Sequence, residues 1–320
     1  MQKSASDTYT VKRGATVIFT LASLLVIFFS LFYAEELKEG VRLGIKIAAS
    51  SVIPSIFPFF IFSDFLESGA SFKKSGWISR SFERGFKINA TAIGAFICGL
   101  ICGFPTGVKY ATRLYRSGRI SRDECERLIC FVNNPSLAFC VSGVGIAMRG
   151  SLKDGLILYL SVVASAIFIG ISFSFNKQKS TYAEYNIEQK FNLSSSIKDA
   201  GFSSLAVSSY IIFFSCILEL TKAFAKNGAL FSLIAALTEV GNAVFYIAKE
   251  CNYTAAFSIF ITGFALGFSG ISVHMQAFSL LPSEIDKRKY IVAKFLQGLF
   301  CGVFSFLLYS ADAYIGVFYQ

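Results

Sequence analysis

The stretch GLICGFPTGVKY, from Gly99 to Tyr110, decides the fold that the sequence predicts. It begins as an apolar membrane helix and then places glycine at positions 99, 103 and 107 and proline at position 105. These residues interrupt a helix, because glycine adopts positive φ freely and proline lacks a backbone N–H. Irregular backbone at membrane depth is tolerated only where protein or water covers it. The stretch therefore indicates a turn buried inside a membrane protein.

The composition of the whole chain also indicates a membrane protein. Hydrophobic residues make up 54% of its 320 residues, and the mean hydropathy is +0.59. A soluble domain of this size cannot bury so much apolar surface. Several runs reach the length of about 20 residues that crosses a bilayer, and the clearest are Ala15–Ala34, Gly155–Phe175, Phe202–Leu220 and Tyr290–Tyr309. We interpret the first as a retained anchor, and predict an all-α polytopic protein integral to a cell membrane.

The charged residues indicate which segments stay on the cytoplasmic side. The formal net charge is +10, and the cations lie beside apolar runs, as the positive-inside rule describes. This placement disfavours a nucleic-acid partner. Basic residues flank the segment Ala90–Val108 on both sides: Lys73, Lys74, Arg80, Arg84 and Lys87 precede it, and Lys109, Arg113, Arg116, Arg119, Arg122 and Arg127 follow it. With both flanks inside, the segment must be a re-entrant hairpin whose tip is Gly103–Gly107.

A broken helix is predicted after this hairpin. The limb that leaves the hairpin ends at Gly118, a suitable C-terminal cap, and the capping-box spacing of Ser121–Glu124 starts the next helix. The triplet Asn133-Asn134-Pro135 then interrupts an apolar run, because proline removes a donor and disfavours helical geometry in the preceding residue. The break offers two carboxamides to a ligand.

The chain also contains an apparent internal repeat. The segment Phe96–Gly107 aligns without a gap with Phe260–Ile271, and Phe59–Glu67 resembles Ile211–Glu219. The alignment predicts a second re-entrant hairpin with its tip at Ser269–Ser272. Paired broken segments in repeated halves are typical of secondary transporters, which bind substrate between the halves.

This interpretation divides the chain into four parts. They are an N-terminal anchor helix with an amphipathic segment (1–50), a first repeat (51–175), a polar linker (176–200) and a second repeat (201–320). Two points stay open. The run Leu230–Lys249 has no clear partner in the first repeat, and the orientation of the second hairpin is not determined.

A family resemblance rests on three motifs: Gly103-Phe104-Pro105-Thr106-Gly107, the run Gly118–Glu124, and Asn133-Asn134-Pro135. With these motifs the chain resembles the YlbJ-type sporulation integral membrane proteins. The resemblance implies a nucleoside recognition or Gate-type domain, as in spore maturation proteins, nucleoside transporters and ferrous iron transport channels. It implies a fold of two repeats with re-entrant hairpins. For the sporulation members it also implies movement of dipicolinate from the mother cell toward the forespore.

The candidate substrate-binding residues lie at the predicted interruptions. Backbone N–H groups and helix N-termini exposed there favour anions such as a carboxylate. Lys109 and Arg113 either add charge to the site or serve as cytoplasmic anchors. The two asparagines either bind substrate or satisfy the helix break. The full set is Gly103, Pro105, Thr106, Gly107, Lys109, Asn133, Asn134, Ser269, Gly270 and Ser272.

Three more residues are candidates for ion coupling or for a supporting polar role: Asp64, Glu239 and Asn242. Asp64 lies inside an apolar run, where an ionisable side chain is a functional candidate, although a position near the membrane surface is the alternative. For Glu239 and Asn242, function and buried hydrogen bonding both stay open. His274 is the only histidine and is expected to be structural.

The function predicted from these features is that of a transporter or facilitator for a small, anionic aromatic metabolite, with dipicolinate as the named candidate. Neither an enzyme motif nor a cofactor or metal motif is recognised. The alternatives are a nucleoside transporter and a non-transporting Gate-domain scaffold or subunit. The expected partners are the small molecule, the lipid bilayer, and a second copy or another membrane protein. The resemblance implies a bacterial cell membrane as the location, and it adds the forespore membrane.

Overall fold

The computed structural model of the protein describes residues 20, 24, 27–28, 30–69, 76–175, 191–224, 228–249 and 251–318. Throughout these residues the regular elements are helices, and no strand is present among them. The predicted all-α class is therefore confirmed.

The first half contains seven α-helices and two π-helical segments within the described residues. Helix α1 runs without a break through a π-helical segment into α2, and a second π-helical segment follows α6. The bounds are α1 Ala34–Ile47, π-helix Ala48–Val52, α2 Ile53–Gly69, α3 Trp77–Phe86, α4 Ile93–Ile101, α5 Thr106–Arg116, α6 Arg122–Val132, π-helix Phe139–Met148 and α7 Leu152–Ser174.

The second half is built from six described α-helices. Their bounds are α8 Leu193–Phe224, α9 Ala229–Thr238, α10 Val240–Lys249, α11 Ala255–Phe268, α12 Gly270–Leu280 and α13 Arg288–Phe318. Helix α8 begins inside the predicted linker, so the end of that linker is helical. The linker residues 176–190 lie outside the described residues.

Four described helices are long and apolar enough to cross a membrane. They are Leu152–Ser174, Leu193–Lys222, Ala255–Leu280 and Arg288–Asp312. The predicted runs Gly155–Phe175, Phe202–Leu220 and Tyr290–Tyr309 fall on three of them. Most of the first predicted run, Ala15–Ala34, lies outside the described residues.

The first predicted hairpin is present. Helices α4 and α5 pack against each other, and Gly103, with φ at +85°, lies in the turn between them. A Cβ added to Gly99 of α4 would lie 1.9 Å from the carbonyl oxygen of Val132, and one added to Gly107 of α5 would lie 2.1 Å from the same oxygen. The two limbs therefore pack on either side of one carbonyl group at the end of α6. Only glycine fits at positions 99 and 107.

The second predicted hairpin is wrong in its position. Helices α11 and α12 follow each other within a single membrane-length segment, Ala255–Leu280. Ser269 and Gly270, with φ at 77° and 80°, interrupt that segment rather than forming a hairpin tip. The glycines that suggested a repeat have another use here: Gly263 and Gly267 bring α11 close to α13, as small residues do at helix contacts in membranes.

The hairpin of the second half is formed by α9 and α10 instead. These helices pack against each other and turn at Glu239. The run Leu230–Lys249, which had no partner in the sequence repeat, is therefore the counterpart of the first hairpin. In each half the order of elements is a hairpin, an interrupted helix and then a long helix.

Candidate functional site

The two hairpin tips border one cavity, which we call the central cavity because elements of both halves line it. This central cavity has a volume of about 600 Å³. Gly103 and Phe104 reach it from the first tip, and Glu239 and Gly241 reach it from the second. The other walls are largely apolar and comprise Ile47, Val52, Ile56, Cys102, Ser136, Phe139, Val207, Ile211, Val240, Val273 and Gln276.

Each tip also lies against the interrupted helix of its own half. A Cβ added to Gly103 would lie 2.8 Å from the backbone nitrogen of Ser136, just after the break between α6 and the π-helical segment. A Cβ added to Gly270 would lie 3.0 Å from the carbonyl oxygen of Thr238, at the second tip. In each half, therefore, a hairpin tip contacts the break of the interrupted helix.

The other predicted tip residues have mainly structural contacts. Thr106 is buried and donates through both its backbone nitrogen and its hydroxyl to the carbonyl oxygen of Gly103, which closes the first turn. Ser269 donates to the carbonyl oxygen of Leu266 at 3.1 Å. Among the described walls of the central cavity, Ser269, Gly270 and Ser272 do not occur.

The first break is held by a buried polar network on α13. Both ends of the Asn134 carboxamide are hydrogen-bonded, since it donates to the carbonyl oxygen of Phe131 and accepts from Gln297, both at 2.7 Å. The amine of Lys294 donates to the carbonyl oxygen of Asn133 at 2.7 Å and to Oε1 of Gln297 at 2.8 Å. These contacts stabilise the carbonyl end of α6, where a cation is favoured by the helix dipole.

Tyr290 links the same break to α12. Asn133 donates to its hydroxyl at 2.7 Å, and Nδ1 of His274 lies 3.0 Å from that oxygen. His274 is buried with its ring against Phe268 and Tyr290. Three buried polar atoms at this interface have no hydrogen-bond partner among the described residues: Oδ1 of Asn133, Nε2 of His274 and Oε1 of Gln276. Buried polar atoms of this kind are available to a polar ligand.

Sequence reasoning missed Lys294, Gln297, Tyr290 and Gln276. A signal was present for the first two, because Lys294 is an ionisable residue within the apolar run Tyr290–Tyr309, and such residues are functional candidates by default. Gln297 follows three residues later, on the same helix face. Tyr290 and Gln276 carry no comparable signal, since their roles depend on which helices pack together.

Glu239 caps the N-terminus of α10, the helix that follows it. Its carboxylate accepts from the backbone nitrogens of Gly241 and Asn242, at 3.0 Å and 2.6 Å. Asn242 in turn donates to the hydroxyl of Ser215 at 2.9 Å. The predicted anion site at a helix N-terminus is therefore occupied here by a carboxylate of the protein itself. Within the described residues, no basic nitrogen lies within 4.0 Å of that carboxylate.

Asp64 lies beside two cations of the first hairpin. Arg113 donates to its carboxylate, and the amine of Lys109 lies 3.8 Å from it. The same amine lies 5.0 Å from the ring centroid of Phe60. Lys109 and Arg113 are thus fixed in one charged cluster with Asp64, although a coupling role for Asp64 stays a prediction.

Two further cavities connect this cluster with the central cavity. The connecting cavity, of about 310 Å³, shares Val207 and Gln276 with the central cavity. It shares Lys109, Ser203 and Leu280 with a wider opening of about 620 Å³, which we call the basic mouth. The remaining walls of the basic mouth are Thr112, Arg113, Arg116, Asp199 and Phe202. The three cavities therefore lie side by side in a row, from the basic mouth to the cavity that both hairpin tips border.

One of the basic residues that follow the first hairpin in sequence does not line the basic mouth. Arg127 is buried and donates to the carbonyl oxygens of Phe86 and Lys87, at 2.9 Å and 3.1 Å, and to the carboxylate of Asp123 at 2.9 Å. Its guanidinium joins α6 to the end of α3 and is not part of an exposed surface. The sequence could not show this, because a buried arginine and an exposed one look alike in a basic segment.

Comparison with known proteins gives one relative. The chain is similar to the sporulation integral membrane protein YlbJ of Bacillus subtilis strain 168, with 28% identity over 318 aligned residues. The alignment covers 85% of this chain and 77% of the relative. The predicted resemblance to YlbJ-type proteins is confirmed. The similarity and the four membrane-length helices together support an integral membrane location.

No protein-family model matches the chain. No solved structure matches it either. The Gate-type domain implied by the resemblance therefore stays a prediction.

Proposed function

We propose that the protein is a membrane transporter or facilitator for a small, anionic aromatic metabolite. The observation that carries this proposal is the row of cavities from the basic mouth to the two hairpin tips. Tips and breaks that converge on one cavity are the arrangement in which secondary transporters bind substrate.

The charges along the row favour an anion. The basic mouth is lined by Lys109, Arg113 and Arg116 against one carboxylate, Asp199. Such an excess of one charge focuses the field and raises the local concentration of the opposite charge. Asp64 is held by two of these cations and reduces the excess without removing it.

The walls of the central cavity favour an aromatic ring. Small-molecule sites are mostly apolar with a few placed polar groups, and the central cavity has this character. Phe104, Phe139 and Val273 offer apolar surface, while Ser136 and Gln276 offer hydrogen bonds. A planar ring with carboxylates matches this combination. The name of the relative, a sporulation integral membrane protein, supports a role in sporulation, and the YlbJ-type resemblance supplies dipicolinate as the candidate.

Uptake into proteoliposomes tests this proposal. Labelled dipicolinate and labelled nucleosides are offered separately to the purified, reconstituted protein, and we expect saturable uptake of dipicolinate. The substitution Arg116→Glu in the basic mouth should reduce uptake several-fold at low salt, and the loss should shrink as salt screens the charge. Arg80→Glu, an exposed arginine on α3 outside the mouth, is the matched control and should leave uptake unchanged.

Three results would contradict parts of this proposal. Uptake of nucleosides alone would favour the nucleoside alternative. No uptake of either compound, together with a stoichiometric membrane partner in affinity purification, would favour the scaffold alternative. Equal losses from Arg116→Glu and Arg80→Glu would show that the basic mouth is not the entrance.

A further inference from the structure

The central cavity contains one acidic side chain, at the place where the anionic substrate is proposed to bind. Glu239 lines this cavity from the second tip and is 3% exposed. The other wall residues are apolar or uncharged, and Cys102 is the only other one among them with a titratable side chain. An ionised carboxylate here repels an anion strongly, because the surroundings screen charge poorly.

Among the residues that the structure describes, no neighbouring charge cancels that of Glu239. Its hydrogen-bond donors are backbone nitrogens of Gly241 and Asn242. The charged pair on α8, Glu219 and Lys222, is bonded to the hydroxyl of Tyr246 instead. The titratable groups on the described elements packed against α9 and α10 lie on three elements and at the first tip. They are Lys198, Asp199, Tyr210, Cys216, Glu219 and Lys222 on α8, His274 on α12, Cys140 in the second π-helical segment and Cys102 at the first tip, while α10 itself carries Tyr246 and Lys249. Among the described residues, none of these groups forms an ion pair with Glu239.

We propose that Glu239 is the proton-binding residue of an anion–proton cotransporter, an inference that rests on the proposed function. The proton comes from water on the side where the substrate enters, and it binds one carboxylate oxygen of Glu239. Protonation removes the repulsion, so the anion and the proton occupy the cavity together. Both leave on the opposite side, which returns Glu239 to its ionised state, with one proton moved for each substrate.

Protonation of Glu239 also weakens the N-terminal cap of α10. Ionised, the carboxylate holds the backbone nitrogens of Gly241 and Asn242 at the start of a helix. Once neutral, it is a weaker acceptor, because charge-assisted hydrogen bonds are about twice as strong as neutral ones. A substrate carboxylate then competes for the same N–H groups. These groups lie at the positive end of the helix dipole, which favours an anion. Glu239 thus excludes the substrate until the proton arrives.

The level to which dipicolinate accumulates, measured with and without an imposed pH gradient, tests this inference. For the wild type, a lumen one pH unit more alkaline than the outside should raise accumulation by up to about tenfold, since that gradient is a tenfold difference in proton activity. Glu239→Gln, which keeps the size of the side chain and cannot exchange a proton, should transport without any response to the gradient. Glu35→Gln, an exposed acid on α1, is the control and should respond as the wild type does.

A second readout uses the wild type alone and does not depend on the folding of a variant. A pH-sensitive dye inside the liposomes should report acidification of the lumen when dipicolinate is added outside. Wild-type uptake that ignores the gradient and moves no protons would overturn the coupling and leave the transport proposal standing. A Glu239→Gln protein that still responds to the gradient would also overturn it. An absence of any wild-type uptake would overturn the proposed function and the coupling with it.

Discussion

At the scale of single residues, the glycines of the first hairpin fix how it packs. Gly99 and Gly107 lie on different limbs, and both contact the carbonyl oxygen of Val132. That carbonyl belongs to the last turn of α6, where intrahelical donors run out. The spacing predicted interruptions here, and the structure adds that two of the three glycines serve a contact between elements. Only Gly103 has the positive φ of a turn residue.

The substitution Gly99→Ala should therefore destabilise the protein. Its added Cβ would lie 1.9 Å from a backbone carbonyl oxygen, and forcing atoms into a packed interior costs about 2 kcal/mol or more. Thermal unfolding in detergent should show a lower midpoint. Gly201→Ala is the control, because a Cβ there meets nothing within 4 Å and alanine favours a helix. An unchanged unfolding midpoint for Gly99→Ala would show that the limbs do not pack against the carbonyl oxygen of Val132.

At the scale of elements, the sequence predicted one hairpin well and misplaced the other. The first tip combines glycine and proline in an apolar run, which is a clear signal. The second tip turns at Glu239, whose carboxylate caps the following helix, and this cap needs no cluster of glycines. The serines and glycine near Ser269 looked like a tip because a break within a helix uses the same residues as a turn. Only the packing of α9 against α10 separates the two cases.

The sidedness of the first hairpin is a prediction at this scale. Both limbs should end on the cytoplasmic side. Lys87→Cys before the hairpin and Arg116→Cys at the end of its second limb, each in a cysteine-free background, should therefore be labelled from the same side in oriented vesicles. Arg80→Cys, which lies in the basic segment before the hairpin, marks the cytoplasmic side as a control. Labelling of positions 87 and 116 from opposite sides would mean that this segment crosses the membrane.

At the scale of the whole molecule, the candidate site is assembled from both halves. The interruptions at Asn133 and Ser269 lie far apart in sequence, yet each is joined to a hairpin tip, and both tips border one cavity. The sequence predicted this convergence in outline. It could not predict that α13 carries the buried amine of Lys294 to the first break, since that contact depends on the packing of the long helices.

The reactivity of Cys102 tests most directly whether the central cavity is reached from the basic mouth. The other seven of the eight cysteines are replaced, and the rate of modification by a small water-soluble thiol reagent is measured with and without dipicolinate. A matched chain retains only Cys130, which is fully buried and does not line the cavity. We predict that Cys102 reacts, that dipicolinate slows this reaction, and that Cys130 stays inert. Modification of Cys102 that is absent, or that is unaffected by dipicolinate, would contradict the account.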